Sequence, residues 1–352
     1  MAEKTAKKEK NDGGRAYKEL REALKNRAPK RLYVFYGEES FLREWCLGEL
    51  RKLVARGTEE FNDRRFDGKT LSVGELADAL DMVPMFSDFV LVEIHDFDFS
   101  KADEDTREGL ARTLADIPEY MTVVFVCDTV EYKLDGRIAS YRKLKTQLTE
   151  VEFAHQEESE LVKWVKRHFK SRGKLIDSDA ASYLVFITDG LMTTLTGEIE
   201  KLSSYVIGEN VTRSDIDAVV TPSPDASAYK LASALFRGQR KNAAALLADS
   251  FAMDIPAQRL LYILELKAKN LLWAYYVRTS AKGWEDLKKL AGISFEREAQ
   301  ELFNMVPKLS QKSIMRLVTM CADTAYRLQS GAPGTDNEKM TELCMAVLRE
   351  VG

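Results

Sequence analysis

The stretch that decides the fold is Arg31–Arg43, which reads RLYVFYGEESFLR. Its first part, Leu32–Tyr36, is a continuous apolar and aromatic run, and this pattern is typical of a central strand buried on both faces. Gly37 ends the strand, and Ser40 is predicted to cap a helix whose apolar residues recur at helical spacing over Phe41–Val54. A strand, a glycine turn and a helix together form the frame of a phosphate-binding loop.

The turn itself lacks the parts that bind phosphate. A working loop needs several glycines, whose backbone N–H groups can approach the phosphates, followed by a Lys and a Ser or Thr that reaches Mg²⁺. Here the turn has one glycine, Gly37, and two carboxylates, Glu38 and Glu39. Each negative charge near a bound triphosphate would be repulsive by about 1 kcal/mol or more at a protein surface. These three residues therefore predict a degenerate nucleotide site, and we expect no cofactor.

Length and charge narrow the class of protein. With 352 residues, the chain is long enough for two or three domains. A net charge of −4 argues against a dedicated nucleic-acid binder, although a local basic face such as Arg137–Lys145 remains open. No apolar run approaches the roughly 20 residues that cross a bilayer. Met1–Gly14 is Lys-rich with no apolar segment, so we expect a disordered tail and not a signal peptide.

The residues that most often carry catalysis or bind metals are scattered. The four cysteines have no C-x-x-C spacing and lie in apolar patterns, which favours buried thiols in a reducing compartment: Cys46, Cys127, Cys321 and Cys344. The three histidines show no metal spacing: His95, His155 and His168. The sequence therefore predicts no catalytic or metal-ligating residue. A Ser-His-Asp or Cys-His site assembled from distant residues stays open, because such sites leave no local pattern.

The chain changes character near residue 155. Before that point, helices alternate with apolar strands, which predicts a parallel sheet covered by helices on both faces. The predicted strands are Leu32–Tyr36, Asn62–Gly68, Phe89–Ile94, Met121–Cys127 and Val151–Phe153. From Glu157 onward only helices are predicted, and Thr221-Pro222-Ser223-Pro224 is the clearest linker between them. We expect a tail over 1–14, an α/β domain over 15–155, a small helical domain over 156–222 and a helical bundle over 223–352. Helical spacing places Trp273, Tyr275 and Tyr276 in the core of that bundle.

Four short motifs follow one another in an order that points to a known family. They are Tyr36–Leu42, Val83–Asp88 before an apolar strand, the Asp189-Gly190 turn before Glu198–Leu202, and Leu235–Gly238. Each motif is weak alone, but in this order and spacing they are fairly specific over nearly the whole chain. The chain thus resembles the delta-subunit family of the bacterial DNA polymerase III clamp loader.

The resemblance implies a degenerate AAA+ module, a helical lid over 156–222 and a helical collar over 223–352. It also implies a non-catalytic subunit in which Met85 and Phe86, with Val83 beside them, insert into a pocket on the sliding clamp and hold the ring open. Met85 departs from the bulkier Leu or Phe of the family, but a flexible Met still fills an apolar pocket. The implied partners are the clamp, the other subunits of a cytoplasmic heteropentamer, bound through the collar, and primed DNA within that complex. Direct contact with DNA is left open, and no membrane is involved.

Each of these assignments has an alternative. Phe86 could pack internally against the following strand, and Glu38 and Glu39 could be ordinary acids at a helix N-terminus. The rival functions are an active AAA+ ATPase of DNA metabolism and a helical scaffold subunit without clamp affinity. Against the ATPase, this chain lacks Gly-Lys-Ser/Thr after Gly37. It also lacks an acidic pair at the end of the predicted strand Phe89–Ile94, although Asp96 lies close by.

Overall fold

The computed structural model describes residues 15–293 and 295–352. The disordered tail expected over Met1–Gly14 lies outside these residues. The chain forms two compact units, of which the first ends at His155 and the second begins at Gln156. The further division of the second unit into lid and collar stays a prediction.

The first unit is built on a five-stranded sheet, and every strand pairs with its neighbours in parallel. The strands are β1 (Leu32–Tyr36), β2 (Asp63–Asp67), β3 (Val90–His95), β4 (Met121–Val126) and β5 (Thr149–Glu152), in the order β2-β3-β4-β1-β5. Val34 of β1, which lies between β4 and β5, is opposite Phe125 of β4 and Glu150 of β5. The parallel sheet predicted from the apolar runs is confirmed.

Helices cover both faces of this sheet, because successive side chains of a strand point to opposite sides. The helices are α1 (residues 15–25), α2 (Ser40–Arg51), α3 (Glu59–Asn62), α4 (Val73–Leu80), α5 (Glu104–Thr113) and α6 (Ala139–Lys145). Val34 and Val92 pack on one face with α4, α5 and α6. Phe35 and Val124 pack on the other face with α1 and α2. Strands β1, β3 and β4 are mostly apolar because both of their sides are covered.

The second unit is helical, with α13 at the centre of its main core. Its helices are α7 (Glu158–Ser171), α8 (Ser178–Ile187), α9 (Met192–Tyr205), α10 (Arg213–Val219), α11 (Pro224–Phe236), α12 (Arg240–Ala252), α13 (Ala257–Thr279), α14 (Trp284–Ala291), α15 (Glu296–Met305), α16 (Gln311–Gln329) and α17 (Asp336–Val351). Helix α13 packs against α11, α14, α15, α16 and α17.

The prediction of helices alone after Glu157 is wrong at one place. A two-stranded parallel sheet joins β6 (Leu175–Ile176) to β7 (Asn210–Val211). Two residues are too few to show an alternating pattern, and the strands pair across 35 positions, as Leu175 does with Asn210. The sequence analysis also missed α14, whose preceding residue, Gly283, has no side chain with which to cap a helix.

The placement of the aromatic cluster of α13 in the bundle core is wrong for two of its three residues. Trp273 is 49% exposed and Tyr276 is 47% exposed, and only Tyr275 packs against the core. Leu271 and Ala274 face the interior instead. Helical spacing identifies residues that share a face, but it does not say which face a large aromatic ring occupies.

The four cysteines agree with their prediction. All are buried and free, and burial raises the pKa of each thiol to about 12. Such thiols are neutral and unreactive near pH 7.

The turn at Gly37 generates a prediction about stability. Gly37 has φ +113°, and a Cβ there would lie 2.5 Å from the Phe153 carbonyl oxygen. We expect Gly37→Ala to lower the free energy of unfolding by about 2–4 kcal/mol, from left-handed strain and displacement of backbone. Gly57→Ala is the matched control, since Gly57 has φ +80° with no atom within 4 Å of its Cβ position. Gly57→Ala should lower the free energy of unfolding by only about 1–2 kcal/mol, the cost of the left-handed backbone conformation. Urea unfolding of the full chain, followed by circular dichroism, measures both, and equal losses would contradict the close approach.

Candidate functional site

The loop after β1 directs its polar backbone groups into the protein. The Glu39 N–H donates to the Phe153 carbonyl at 2.9 Å, and the Gly37 carbonyl accepts from Nη1 of Arg43 at 2.8 Å. The Glu39 side chain is fully buried. Helix α2 begins at Ser40 itself, so Ser40 is its first residue and not the cap predicted from the sequence. A loop of this kind offers a phosphate fewer backbone donors than a working nucleotide site does.

Arg43 places a buried positive charge beside this loop. Besides its bond to Gly37, its Nη2 donates to a carboxylate oxygen of Asp128 at 2.7 Å, and the Arg43 side chain is almost completely shielded from solvent. The charge of Arg43 is therefore compensated by a carboxylate of the protein itself.

Arg43 is one end of a row of ionised side chains across the carboxyl ends of β3 and β4. We call this row the charge chain, and its members are Arg43, Asp128, His95, Glu93 and Arg51. His95 Nδ1 lies 2.8 Å from Asp128 Oδ2, and His95 Nε2 lies 3.1 Å from Glu93 Oε2. Glu93 accepts two hydrogen bonds from the Arg51 guanidinium, at 2.7 and 2.6 Å. Sequence reasoning missed this chain, although one signal was available, because Glu93 is the only acid within the apolar strand β3.

The charge chain shifts the pKa of its members in opposite directions. Hydrogen bonding to Glu93 raises the pKa of His95 to about 9, with a further contribution from Asp128, although burial opposes it. Burial by itself would raise the pKa of Glu93, but the hydrogen bonds from His95 and Arg51 outweigh burial and lower it to about 2. Near pH 7, His95 is therefore a cation between two carboxylates.

Asp96, which follows β3, binds the loop after β4 through its carboxylate. Its Oδ1 accepts the backbone N–H groups of Asp128, Thr129 and Val130 at 2.8, 2.7 and 3.2 Å. Its Oδ2 accepts the Thr129 hydroxyl at 2.7 Å. Asp96 thus anchors the loop after β4, and these bonds occupy the carboxylate that lies nearest to the Walker-B position in the sequence.

The three residues predicted to contact a clamp lie together between α4 and β3. We call Val83, Met85 and Phe86 the tip. Their side chains are 66%, 46% and 86% exposed. Phe86 has φ +55°, a left-handed backbone conformation that is uncommon for a bulky residue. With its ring in solvent, Phe86 does not pack against the following strand, which was the alternative drawn from the sequence.

Side chains from outside the tip hold its backbone in place. Asn62 Nδ2 donates to the Met85 carbonyl at 2.7 Å, and the Met85 N–H donates to Asn62 Oδ1 at 2.8 Å. On the other side of Phe86, the Ser87 hydroxyl oxygen accepts the Ala55 N–H at 3.2 Å. The segment between the end of α4 and the start of β3 is neither helix nor strand, so these side-chain bonds take the place of secondary structure.

A cleft of about 670 Å³ lies next to the tip and includes Phe86 in its wall. Its charged lining residues are Arg27, Lys52, Arg56, Asp88 and Glu119. The surroundings of the tip therefore carry both signs of charge around an apolar centre, as the rim of a protein–protein interface does.

The second unit has a cavity of about 350 Å³ that no sequence motif indicated. Its walls include four aromatic rings, those of Tyr183, Phe186, Tyr229 and Phe295. A buried lysine, Lys267, also lines it and donates to Ser233 Oγ at 2.6 Å and to Glu301 at 3.2 Å.

The basic stretch Arg137–Lys145 is helical only from Ala139 onward. Arg137 precedes α6 and pairs with Asp135 at 2.7 Å, while Lys145 pairs with Glu150 at 3.3 Å. The side chains of Arg137 and Lys145 are both largely exposed, so this stretch is a solvated charged surface.

Within residues 15–293 and 295–352, no cluster of three or more His, Cys, Asp or Glu side chains has the arrangement of a metal site. None of the helices there combines the length and the apolar character needed to span a bilayer.

Comparison with known proteins finds a similarity to one family. Residues 33–154 match the family model described as "DNA polymerase III, delta subunit". Through this region the chain is similar to the DNA polymerase III delta-subunit family. A curated delta-family relative, DNA polymerase III subunit delta of Bacillus subtilis (strain 168), is 19% identical over 324 residues, which are 90% of this chain and 92% of the relative. The resemblance found from the sequence motifs is confirmed.

A solved structure shows that the likeness extends to the fold. The Bacillus subtilis DNA clamp loader delta protein matches with a TM-score of 0.54 at 17% identity, covering 95% of this chain and 99% of that one. The α/β module followed by helices is therefore a fold that this chain shares with that protein.

The charge chain predicts an unusual titration. We expect the His95 imidazole to titrate near pH 9, because two carboxylates stabilise its protonated form. His168 should titrate below its usual value of about 6.5, because burial and then the nearby Arg172 and Arg167 disfavour its charge. NMR of the chain labelled at its histidine rings measures both, and His95→Gln assigns the signal. A His95 pKa near 6.5 would contradict the charge chain.

The same shift makes stability depend on pH. Because the folded pKa of His95 lies above its unfolded value, its contribution is fully present below about pH 6.5 and is lost as pH rises through about 9. We expect the native chain to exceed His95→Gln in unfolding free energy by about 2 kcal/mol more at pH 6 than at pH 9.5. The rise from 6.5 to about 9 corresponds to about 3 kcal/mol at about 1.4 kcal/mol per pKa unit, and solvent screening of the partly exposed imidazole reduces that value. Urea unfolding of both proteins at the two pH values tests this. A difference that does not change with pH would count against it.

Proposed function

We propose that this chain is a clamp-loading delta subunit that binds a ring-shaped sliding clamp through the tip. The observation that supports this most is the exposure of Phe86 and its apolar neighbours in a segment fixed by side-chain hydrogen bonds. The family match and the fold shared with a clamp loader delta protein agree with it.

The tip has the chemistry of a binding hot spot. A few apolar and aromatic anchors carry most of the energy of an interface, and truncating one central anchor costs about 2–4 kcal/mol. Phe86 supplies a large rigid ring, and Met85 supplies a side chain that adapts to the shape of a pocket. Exposed side chains of this kind lose water on binding, and this gain drives association.

The tip would open the ring only through a difference in affinity. A ligand shifts an equilibrium by no more than its preference for one state over the other. We infer that the tip binds the open clamp more tightly than the closed one, so that binding stabilises the open ring. The other subunits of the complex, held through the C-terminal helices, would bind and hydrolyse ATP and place the clamp on primed DNA.

The chain itself is proposed to be non-catalytic. An active ATPase needs backbone donors and an unpaired cation at the loop after β1. Here the Glu39 N–H is bonded to Phe153, and Arg43 is bonded to Gly37 and Asp128. These contacts favour the degenerate site over the rival ATPase.

Nucleotide binding tests that choice. We expect no heat of binding when Mg-ATP is titrated into the full chain, because Glu38 and Glu39 repel the phosphates and the internal bonds occupy the loop. Inorganic triphosphate without the base is the control for a purely electrostatic contact. Saturable binding of Mg-ATP at micromolar concentrations would restore the ATPase as the better assignment.

Clamp capture tests the tip. We expect Met85→Ala/Phe86→Ala to bind the sliding clamp of the same organism at least about thirtyfold more weakly, which corresponds to about 2 kcal/mol. Surface plasmon resonance with the immobilised clamp gives the dissociation constant.

The matched control is Ile207→Ala, because Ile207 is a fully exposed apolar side chain in the second unit. This variant should bind the clamp as the native chain does. If the native chain and the tip variant bind equally, the tip is not the contact. If neither binds, the helical scaffold without clamp affinity becomes the better assignment.

A further inference from the structure

We infer that Asn62 is the positioning residue of the tip, holding Met85 so that Phe86 is presented to the partner in its binding conformation. This inference rests on the proposed function, and it adds a residue outside the tip to the interface.

The Asn62 side chain makes the pair of hydrogen bonds that the backbone of a neighbouring strand would make. Its amide binds both the N–H and the carbonyl of one residue, Met85, at 2.8 and 2.7 Å. Two adjacent strands exchange the same pair of bonds between backbones. Because Asn62 binds both the N–H and the carbonyl of Met85, neither of the two peptide groups that flank Met85 can rotate without losing a hydrogen bond. Asn62 therefore fixes the backbone that leads into Phe86.

Asn62 is itself held rigidly. It is fully buried, and its second amide hydrogen donates to the Thr58 carbonyl at 3.0 Å. It ends helix α3 and is followed directly by strand β2, which pairs with β3. A buried amide with three protein partners has one rotamer available, so its position passes directly to Met85.

A second anchor acts on the other side of Phe86. The Ser87 hydroxyl accepts from the N–H groups of Ala55 and Phe89, both at 3.2 Å, and donates to the Phe89 carbonyl at 3.1 Å. Phe86 therefore lies between two residues that are bonded to the same short segment, Ala55–Asn62. Both anchors act on backbone and leave the Phe86 ring free.

This arrangement explains how Phe86 keeps its left-handed backbone conformation. A bulky residue at φ +55° persists only where its surroundings over-determine it. The hydrogen bonds of Asn62 and Ser87 hold the backbone on both sides of Phe86, at Met85 and at Ser87. A tip ordered in advance loses less conformational entropy on binding and therefore binds more tightly than a mobile one.

The first test measures the order of the tip without any partner. In Asn62→Leu, a substitution of similar volume, the Met85 N–H loses its acceptor, and we expect it to exchange with solvent at least about tenfold faster. The Val90 N–H, which donates to the Tyr120 carbonyl at 2.9 Å, is the internal control and should keep its rate. An unchanged Met85 rate overturns the inference.

The second test measures clamp affinity in a double-mutant cycle. We expect Asn62→Leu to weaken binding about tenfold in the native chain, because the tip is no longer ordered in advance. In the Phe86→Ala background, Asn62→Leu should change affinity less than about twofold, since the group it positions is absent. A general loss of fold would weaken both backgrounds equally, and that result overturns the inference.

The outcomes separate this inference from the proposed function. If Phe86→Ala loses clamp affinity while Asn62→Leu keeps it, positioning by Asn62 is wrong and the tip remains the contact. If Phe86→Ala keeps native affinity, the proposed function fails. The hydrogen-exchange rate of the Met85 N–H then decides by itself whether Asn62 orders the segment.

A second variant covers the case in which Asn62→Leu unfolds the strand and Val90 exchange rises too. Ser87→Ala removes the other anchor, and the Ala55 N–H should then exchange faster while clamp affinity falls. Ser100→Ala, which removes a hydroxyl bonded to Asp98 in another loop, is its matched control and should leave both quantities unchanged. Equal behaviour of the two serine variants overturns the inference.

Discussion

The charge chain from Arg51 to Arg43 is the constraint on which the first unit depends. Glu93 is fully buried in β3, and a buried carboxylate is tolerated only when partners compensate its charge. Removing one partner of such a pair costs about 3–5 kcal/mol, because the other charge is left buried alone. The chain therefore ties α2, β3 and the loop after β4 into one arrangement, and through Arg43 it also holds the loop at Gly37.

The tip depends on the same strands. It lies between α4 and β3, and β3 carries Glu93 and His95 of the charge chain. Asn62 stands immediately before β2, which pairs with β3 from Asp63 and Leu91 onward. The exposed ring of Phe86 is thus supported by a backbone anchored at two neighbouring strand starts. The rigidity of the sheet is what allows an apolar side chain to remain in solvent without collapsing onto the protein.

Much of the fold was predictable because its signals are local. The apolar runs of β1, β3 and β4 identify buried parallel strands, and Ser72 and Thr212 mark helix starts as capping boxes. The candidate site was predictable only in part. Gly37, Glu38 and Glu39 show in the sequence that the nucleotide loop is incomplete, but Arg43 as the internal cation of that loop does not, since its partner Asp128 is 85 residues away.

By itself, the sequence determined the fold class, the resemblance to the delta-subunit family and the missing phosphate-binding residues, since residue type and spacing along the chain carry these properties. Only the tertiary structure decided the charge chain, the two-residue strands β6 and β7, and the exposure of Trp273 and Tyr276. It alone also decided that Asn62 binds Met85, 23 residues further along the chain. The physical reason is the same in each case: the outcome depends on which distant residues folding brings together, and no local pattern names them. For the charge chain and Asn62, those partners lie within about 3 Å.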